Sequence, residues 1–192
     1  MITGFENYLR SHTPLTGEEI GKITATARRG LLQRNEKLLQ QGQICRHKTF
    51  IVTGLLRTYG IADDGREAIL QFSPENTWIL DAESYDKQVP SRFNIAAVEK
   101  SEVLMWTKDE YDTLLEELPV LRQLSQQLIS RSGHNNRQRL FTVLSASPEE
   151  KYDNFIHQYP DLLSRLPLHM IAAYLGISLK TLTRIRHSRL PR

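Results

Sequence analysis

The chain has 192 residues, 40% of them hydrophobic and 24% charged, with 10 Gly and 8 Pro, a globular balance that excludes collagen-like, mucin-like and wholly disordered classes. This length buries real cores without a metal or disulfide staple. The lone Cys45 can neither close an intrachain disulfide nor supply a multi-cysteine metal site, so a reducing compartment is expected. No signal peptide is visible in Met1 to Arg10, and nowhere do about 18 apolar residues run together, so a cytoplasmic protein with no membrane partner is expected.

Net charge is +3, but it is unevenly placed: residues 1–130 hold 15 basic and 18 acidic side chains, whereas 131–192 hold 10 basic and 4 acidic. From Ser164 onward there are basic residues and no acidic one, which suits either an end that meets a polyanion or a solvated basic tail.

A short helix near Phe5 to Leu9 is followed by a capped one over residues 14–29, where Thr16, Glu18 and Glu19 precede Ile20, Ile23 and Ala27. Beyond Gly30 the pattern changes to short apolar runs: Thr49 to Val52, Leu55 to Ile61, Ala68 to Phe72, Trp78 to Leu80, Phe93 to Val98 and Val103 to Trp106. Turn signals such as Asp63-Asp64-Gly65 lie between them, and this spacing predicts a β-sandwich or β-barrel. From Lys108 the period becomes helical. Tyr111, Leu114 and Leu118 precede Pro119, which starts a long helix reaching about Leu144 with Gly133 as a weak point. Its stripe of Leu121, Leu124 and Leu128, continued by polar Ser132 and Asn135, suits a dimer seam in which buried polar positions set register. The same stripe could instead pack on its own barrel. A further helix is predicted after Ser147-Pro148, through Tyr152, Phe155 and Ile156.

Leu168 to Arg189 read LHMIAAYLGISLKTLTRIRHSR, which is helix-turn-helix grammar. Ile171, Ala172 and Leu175 form one inward face, Gly176 supplies the turn, Ser178 is an N-cap, and Leu182 and Ile185 face inward on the second helix. Lys180, Thr181, Arg184 and His187 then point outward, where a recognition helix needs them in the major groove. A helical pair in an ordinary bundle would share the apolar spacing without needing a basic outer face. The DNA-binding candidates are Ser178, Lys180, Thr181, Arg184, Arg186, His187 and Arg189, and the partner is double-stranded DNA.

Over essentially its whole length the chain resembles the CRP/FNR family of bacterial transcription regulators. The resemblance is carried by GLLRTYGIADDGREAILQF (Gly54 to Phe72), SRFNIAAVEKSEVL (Ser91 to Leu104), the long helix and the helix-turn-helix. PSRFNIAAVE and LGISLKTLTRIR are most similar to the divergent branch common in Bacteroidetes. It implies an α+β fold: an N-terminal β-roll, a cyclic-nucleotide-binding-like jelly roll flanked by helices, then a long dimerisation helix and a C-terminal helix-turn-helix. The corresponding domains are 1–117, 118–146 and 147–192. The resemblance further implies a homodimer on a pseudo-palindromic site, RNA polymerase as a further partner, and a small-molecule effector of unknown identity.

Several positions depart from that pattern. Family members that bind cyclic AMP use a Gly-Glu pair opening a short helix and an Arg-Ser or Arg-Thr holding the phosphate. Here the matching stretches are Leu80-Asp81-Ala82-Glu83 and Pro90-Ser91-Arg92, so the glycine is missing and the arginine is displaced by one residue. Asn135 and Asn136 take the place of a nucleotide-contacting hydroxyl pair. The candidate effector pocket is therefore Asp81, Glu83, Ser91, Arg92, Asn135 and Asn136, and no tight cyclic AMP binding is expected. One cysteine excludes the iron-sulfur centre of the redox branch. On the second helix Arg184 matches a guanine-reading arginine, whereas Lys180 replaces a glutamate that would accept from cytosine. With four residues after Ser188, the wing is expected to be truncated, its phosphate contacts falling to Arg186, Arg189 and Arg192.

No cofactor or metal is read from the residues, and no enzyme: a jelly-roll metal site needs at least two histidines with a carboxylate, and His47 stands alone between Gly30 and Trp106. No phosphate loop or nucleophile elbow occurs. The alternative to a regulator is a small-molecule sensor or interaction module that keeps the fold without binding DNA.

Overall fold

The computed structural model describes residues 2–189. It divides into two compact units, one formed by Met1–Gly60 with Gln71–Ile129, the other by Ile61–Leu70 with Ser130–Arg192.

The first unit opens with α1 (Ile2–His12) and α2 (Gly17–Ala25), continues through β1 (Arg28–Leu32), β2 (Lys37–Leu39), β3 (His47–Thr53), β4 (Leu55–Ile61), β5 (Glu67–Pro74) and β6 (Thr77–Ile79), then α3 (Ala82–Lys87), β7 (Asn94–Ala97), β8 (Ser101–Thr107) and α4 (Lys108–Glu117). The six runs named above become β3 to β8, and with β1 and β2 they give, among the described residues, eight strands in two four-stranded sheets, ordered β1-β8-β3-β6 and β2-β7-β4-β5. The central pair is antiparallel, with Phe50 opposite Leu104 and Ile51 opposite Val103.

Alternation along β3 and β8 separates two cores, because successive side chains leave opposite faces of a strand. Ile51 and Val103 face the other sheet and pack with Leu39, Leu56, Ile79 and Ile95. Phe50, Leu104 and Trp106 face outward and are covered by Phe5, Leu9, Ile20, Ile23, Tyr111, Leu114, Leu121 and Leu124. Strand β3 is therefore buried without a break from Lys48 to Val52, because both of its faces are covered. Trp106 adds a directional tie, its Nε1–H donating to the carbonyl of Ile23 at 2.9 Å. Gly54 sits at φ +95° in the tight link between β3 and β4, where a Cβ would fall 2.7 Å from the Lys100 carbonyl oxygen, so no larger residue fits.

The long helix α5 (Pro119–Ser145) is continuous through Gly133. Its residues up to Ile129 belong to the first unit and those from Ser130 to the second. Here one expectation is corrected. Leu121 and Leu124 are buried in the outer core of the roll and Leu128 packs against it, so these three leucines cover their own β-roll and are not available as a dimer seam. Tyr111 and Ser125, hydroxyl to hydroxyl at 2.9 Å, fix that half of the helix further.

The second unit contains the β4–β5 turn, the second half of α5, α6 (Pro148–Gln158), a 3-10 turn (Pro160–Ser164), α7 (Leu168–Leu175) and α8 (Leu179–Ser188). Ser147 and Glu150 close a capping box at the start of α6, satisfying two amides that the first helical turn leaves unpaired. Tyr152, Phe155, Leu162, Leu166, Ile171, Leu175, Leu182 and Ile185 are among the buried apolar residues of this small unit. Among the described residues no helix is long and apolar enough to cross a membrane.

Candidate nucleic-acid interface and effector cleft

The helix-turn-helix is built as its spacing predicts. Helix α7 stops at Gly176, which adopts the left-handed conformation at φ +66° that a glycine enters without strain. Ser178 then caps α8: its hydroxyl accepts from the Thr181 amide at 3.0 Å and lies 2.8 Å from the Thr181 hydroxyl. Leu182 and Ile185 are buried, which turns the opposite face of α8 to solvent.

That face holds most of the predicted interface. Lys180, Arg184, Arg186 and His187 are exposed. Ser178 and Thr181 hydrogen-bond each other, so their part is to start the helix. Arg184 lies 3.7 Å from a Glu149 carboxylate oxygen of α6, a loose and solvated pairing. Arg189 is held far more firmly: both of its terminal nitrogens bond the Asp153 carboxylate, and its guanidinium lies 5.6 Å from the Tyr152 ring centre. It ties the end of α8 to α6, a role that its expected phosphate contact overlooked. Arg192 lies outside the described residues.

Arg139, on the inner side of the second half of α5, was not singled out by the sequence. Its Nη2 donates to the Ile69 carbonyl at 2.9 Å and to the Tyr174 carbonyl at 3.0 Å, and its guanidinium lies 4.2 Å from the Tyr174 ring centre. The Tyr174 carbonyl belongs to the last turn of α7, where carbonyls lack helical partners and a cation is favoured. One fork therefore joins the start of strand β5, the long helix and the helix-turn-helix. Beside it Tyr159 stacks near Tyr174 and Phe155, and burial pushes its phenol well above the usual tyrosine range.

The exposed side of α5 carries a different periodicity from its buried stripe. Ile129 is 69% exposed and Leu140 58%, and with Gly133, Asn136 and Val143 they are spaced four, three, four and three residues apart along one exposed face. Phe141 and Leu144, also exposed, widen that face. Asn135, expected in a dimer seam and a nucleotide pocket, and Asn136 are exposed on this half of α5.

In the roll, Asp81, Glu83, Ser84, Val89, Pro90, Arg92 and Phe93 line a cleft of about 190 Å³. Asp81, Glu83 and Ser84 among them have hydrogen-bond partners. Asp81 caps α3, one carboxylate oxygen accepting from the Ser84 amide at 3.4 Å and the other from the buried Ser91 hydroxyl at 2.5 Å. The Ser84 hydroxyl donates to the Val89 carbonyl at 2.6 Å and accepts from the Cys45 amide at 2.8 Å. Glu83 bonds Lys87, which holds its carboxyl below the usual carboxylate range. Ser91 is buried, and Arg92 is exposed at the rim of the cleft that it helps to line.

Eight antiparallel strands in two sheets, a long helix and a capped helix-turn-helix define a roll-type sensor joined to a DNA-binding motif. Residues 30–117 match the cyclic nucleotide-binding domain family. The chain is 25% identical over 190 residues to the transcriptional activator protein anr of Pseudomonas aeruginosa, covering 89% of this chain and 74% of that one. In fold it is similar to FixK2 from Bradyrhizobium japonicum, at TM-score 0.73 and 16% identity over 84% of this chain and 83% of that chain. It is likewise similar to a regulator of the crp/fnr family from Eubacterium rectale, at TM-score 0.71 and 16% identity over 95% and 87%. The chain is thus similar to transcription activators along most of its length and, in fold, to a regulator of the crp/fnr family.

Proposed function

We propose that this protein is a homodimeric, sequence-specific DNA-binding regulator that works without cyclic AMP. The observation that carries the reading is the outer face of α8, where Lys180, Arg184, Arg186 and His187 are exposed on a helix whose start is fixed by the Ser178 cap. Arg184 and Lys180 suit guanine O6 and N7 in the major groove, and Arg186 suits the flanking phosphates. The Glu149 carboxylate beside Arg184 is exposed and easily exchanged for a base edge or phosphate.

The second copy docks along the heptad face of α5. Ile129, Leu140 and Val143 supply apolar contact, Gly133 permits close approach, and Asn136 sets register at some cost in stability. Two α8 helices related by that axis reach adjacent major grooves when they lie about 34 Å apart. The Asp81 carboxylate, already engaged by Ser84 and Ser91, supports a regulator that is competent without a cyclic nucleotide.

Selection from a random pool of duplexes by the purified protein, without added nucleotide and at two salt concentrations, tests this reading. The expected result is an enriched two-fold-symmetric motif whose affinity falls steeply with salt. Weak binding without enrichment would overturn it in favour of a sensor that has lost DNA recognition. Sedimentation of Leu140→Glu tests the dimer: a monomer at micromolar concentration is expected, and an unchanged dimer would move the seam elsewhere.

A further inference from the structure

The first residue of α8 is a leucine, and it is 47% exposed. It lies outside the inward face, which Leu182 and Ile185 form, and it has no part in the cap, which Ser178 provides. One helical turn further along the same edge lies Thr183, and its hydroxyl donates to the Leu179 carbonyl at 2.9 Å. With that hydroxyl engaged by backbone, the chemistry Thr183 has left to offer is its methyl group. The leading turn of α8 thus has a carbon edge, Leu179 and Thr183, beside a cationic edge, Lys180 and Arg184.

This pairing has a counterpart in the major groove. The C5-methyl of thymine is an apolar group on a base edge there, and guanine O6 and N7 are acceptors that suit Lys and Arg. A leucine that only packed against a protein partner would gain nothing from flanking cations, whereas on DNA those cations hold it against the base edges. We infer that Leu179 and Thr183 are specificity-determining residues that read thymine methyl groups next to the guanines contacted by Lys180 and Arg184. The inference rests on the DNA-binding reading above and adds to it the base that the carbon edge selects.

The test uses the full-length protein and the duplex it selects from a random pool. Each thymine of one half-site is replaced in turn by deoxyuridine, which removes the C5-methyl and leaves the pairing unchanged. At the thymine facing Leu179, deoxyuridine is expected to weaken wild-type binding about fourfold, the effect of one buried methyl group. Leu179→Ala should bind thymine and deoxyuridine equally there. Thr183→Ser keeps the hydroxyl bond to the Leu179 carbonyl and should abolish the response at a neighbouring thymine. Leu179 is exposed, so its variant should melt with the wild type, which separates lost recognition from lost folding. Deoxyuridine acting equally on wild type and variants, or on neither, overturns the inference while sequence-specific binding stands. Absence of any selected motif overturns the regulator reading and this inference together.

Discussion

Two helix starts in this molecule solve the same problem in opposite ways. The first turn of any helix leaves amides without partners, and the start of α3 and the start of α8 are each closed by a side chain that accepts from the amide three residues further on. At α3 the cap is the carboxylate of Asp81, reinforced by the Ser91 hydroxyl and followed by Glu83. At α8 the cap is the neutral hydroxyl of Ser178, and the neighbouring exposed side chains are Lys180 and Arg184. The first arrangement supplies its own anion and repels another. The second leaves the positive end of the helix uncompensated and surrounds it with cations, which invites an external polyanion. The two starts therefore differ in the charge of the cap, an anion at α3 and a neutral hydroxyl flanked by cations at α8.

The largest test of this contrast removes the platform under the open end. Arg139→Ala leaves the Ile69 and Tyr174 carbonyls without their shared donor, and hydrogen bonds to a charged group contribute about 1.5 to 3 kcal/mol each. A loss of about 3 kcal/mol is expected in the second unit, read as faster amide exchange in α7 and α8 with the β3 and β8 amides of the roll unchanged. Arg139→Lys should not restore it, because an ammonium lacks the planar fork that reaches both carbonyls and lies over the Tyr174 ring.

Next in size is an exchange of caps. Ser178→Asp should keep α8 folded, since aspartate caps as well as serine. It places at the open end the same charge that closes α3. Opposition between like charges near a surface is about 1 to 4 kcal/mol, so duplex affinity should fall about tenfold or more at low salt with thermal stability retained. Unchanged affinity would show that the start of α8 lies away from the phosphates.

The starts themselves were legible in the sequence because a cap is a local device: Thr16, Ser147 and Ser178 each lie within three residues of the amide they satisfy. The strands were legible for a similar reason, since period-two alternation and turn residues are short-range signals. The covering of α5 was not. Leu121, Leu124 and Leu128 have the spacing of a dimer seam and equally that of a helix lying on its own roll, and only the outward faces of Phe50, Leu104 and Trp106 decide between them. Arg139 was hidden because its partners lie 70 and 35 residues away in the chain. Leu179 carries no signal of its own in the sequence, since an apolar residue is ordinary in a helix, and its 47% exposure on α8 is what sets it apart.

A smaller effect distinguishes reading from positioning within the open face. Arg184→Ala should cost about 1 to 3 kcal/mol of discrimination at one base pair of the selected site and little at the others. Arg186→Ala should weaken binding to every duplex alike and reduce the salt slope by about one. Measuring both variants on the selected site and on point-mutant sites checks the assignment, and identical profiles for the two arginines would place Arg184 on phosphate.

The smallest effect is at the closed end, where Asp81→Asn neutralises the cap without removing it. Asparagine caps a helix as well as aspartate does, so stability should change by no more than about 0.5 kcal/mol. The Ser91 hydroxyl keeps an acceptor, and the cleft loses its central negative charge. Cyclic AMP should then bind detectably by titration calorimetry where the wild type shows no heat, yet only at millimolar concentration. Two departures still weigh against it: Leu80 stands where a glycine would let a phosphate approach, and Arg92, exposed at the cleft rim, follows Ser91 in the chain where the cyclic AMP pattern has the arginine first. The selected DNA site should be bound equally by Asp81→Asn with and without the nucleotide. Micromolar cyclic AMP binding by the wild type would mean that a ligand readily displaces the Asp81 to Ser91 bond, and the closed cleft would then be the resting state of a working sensor.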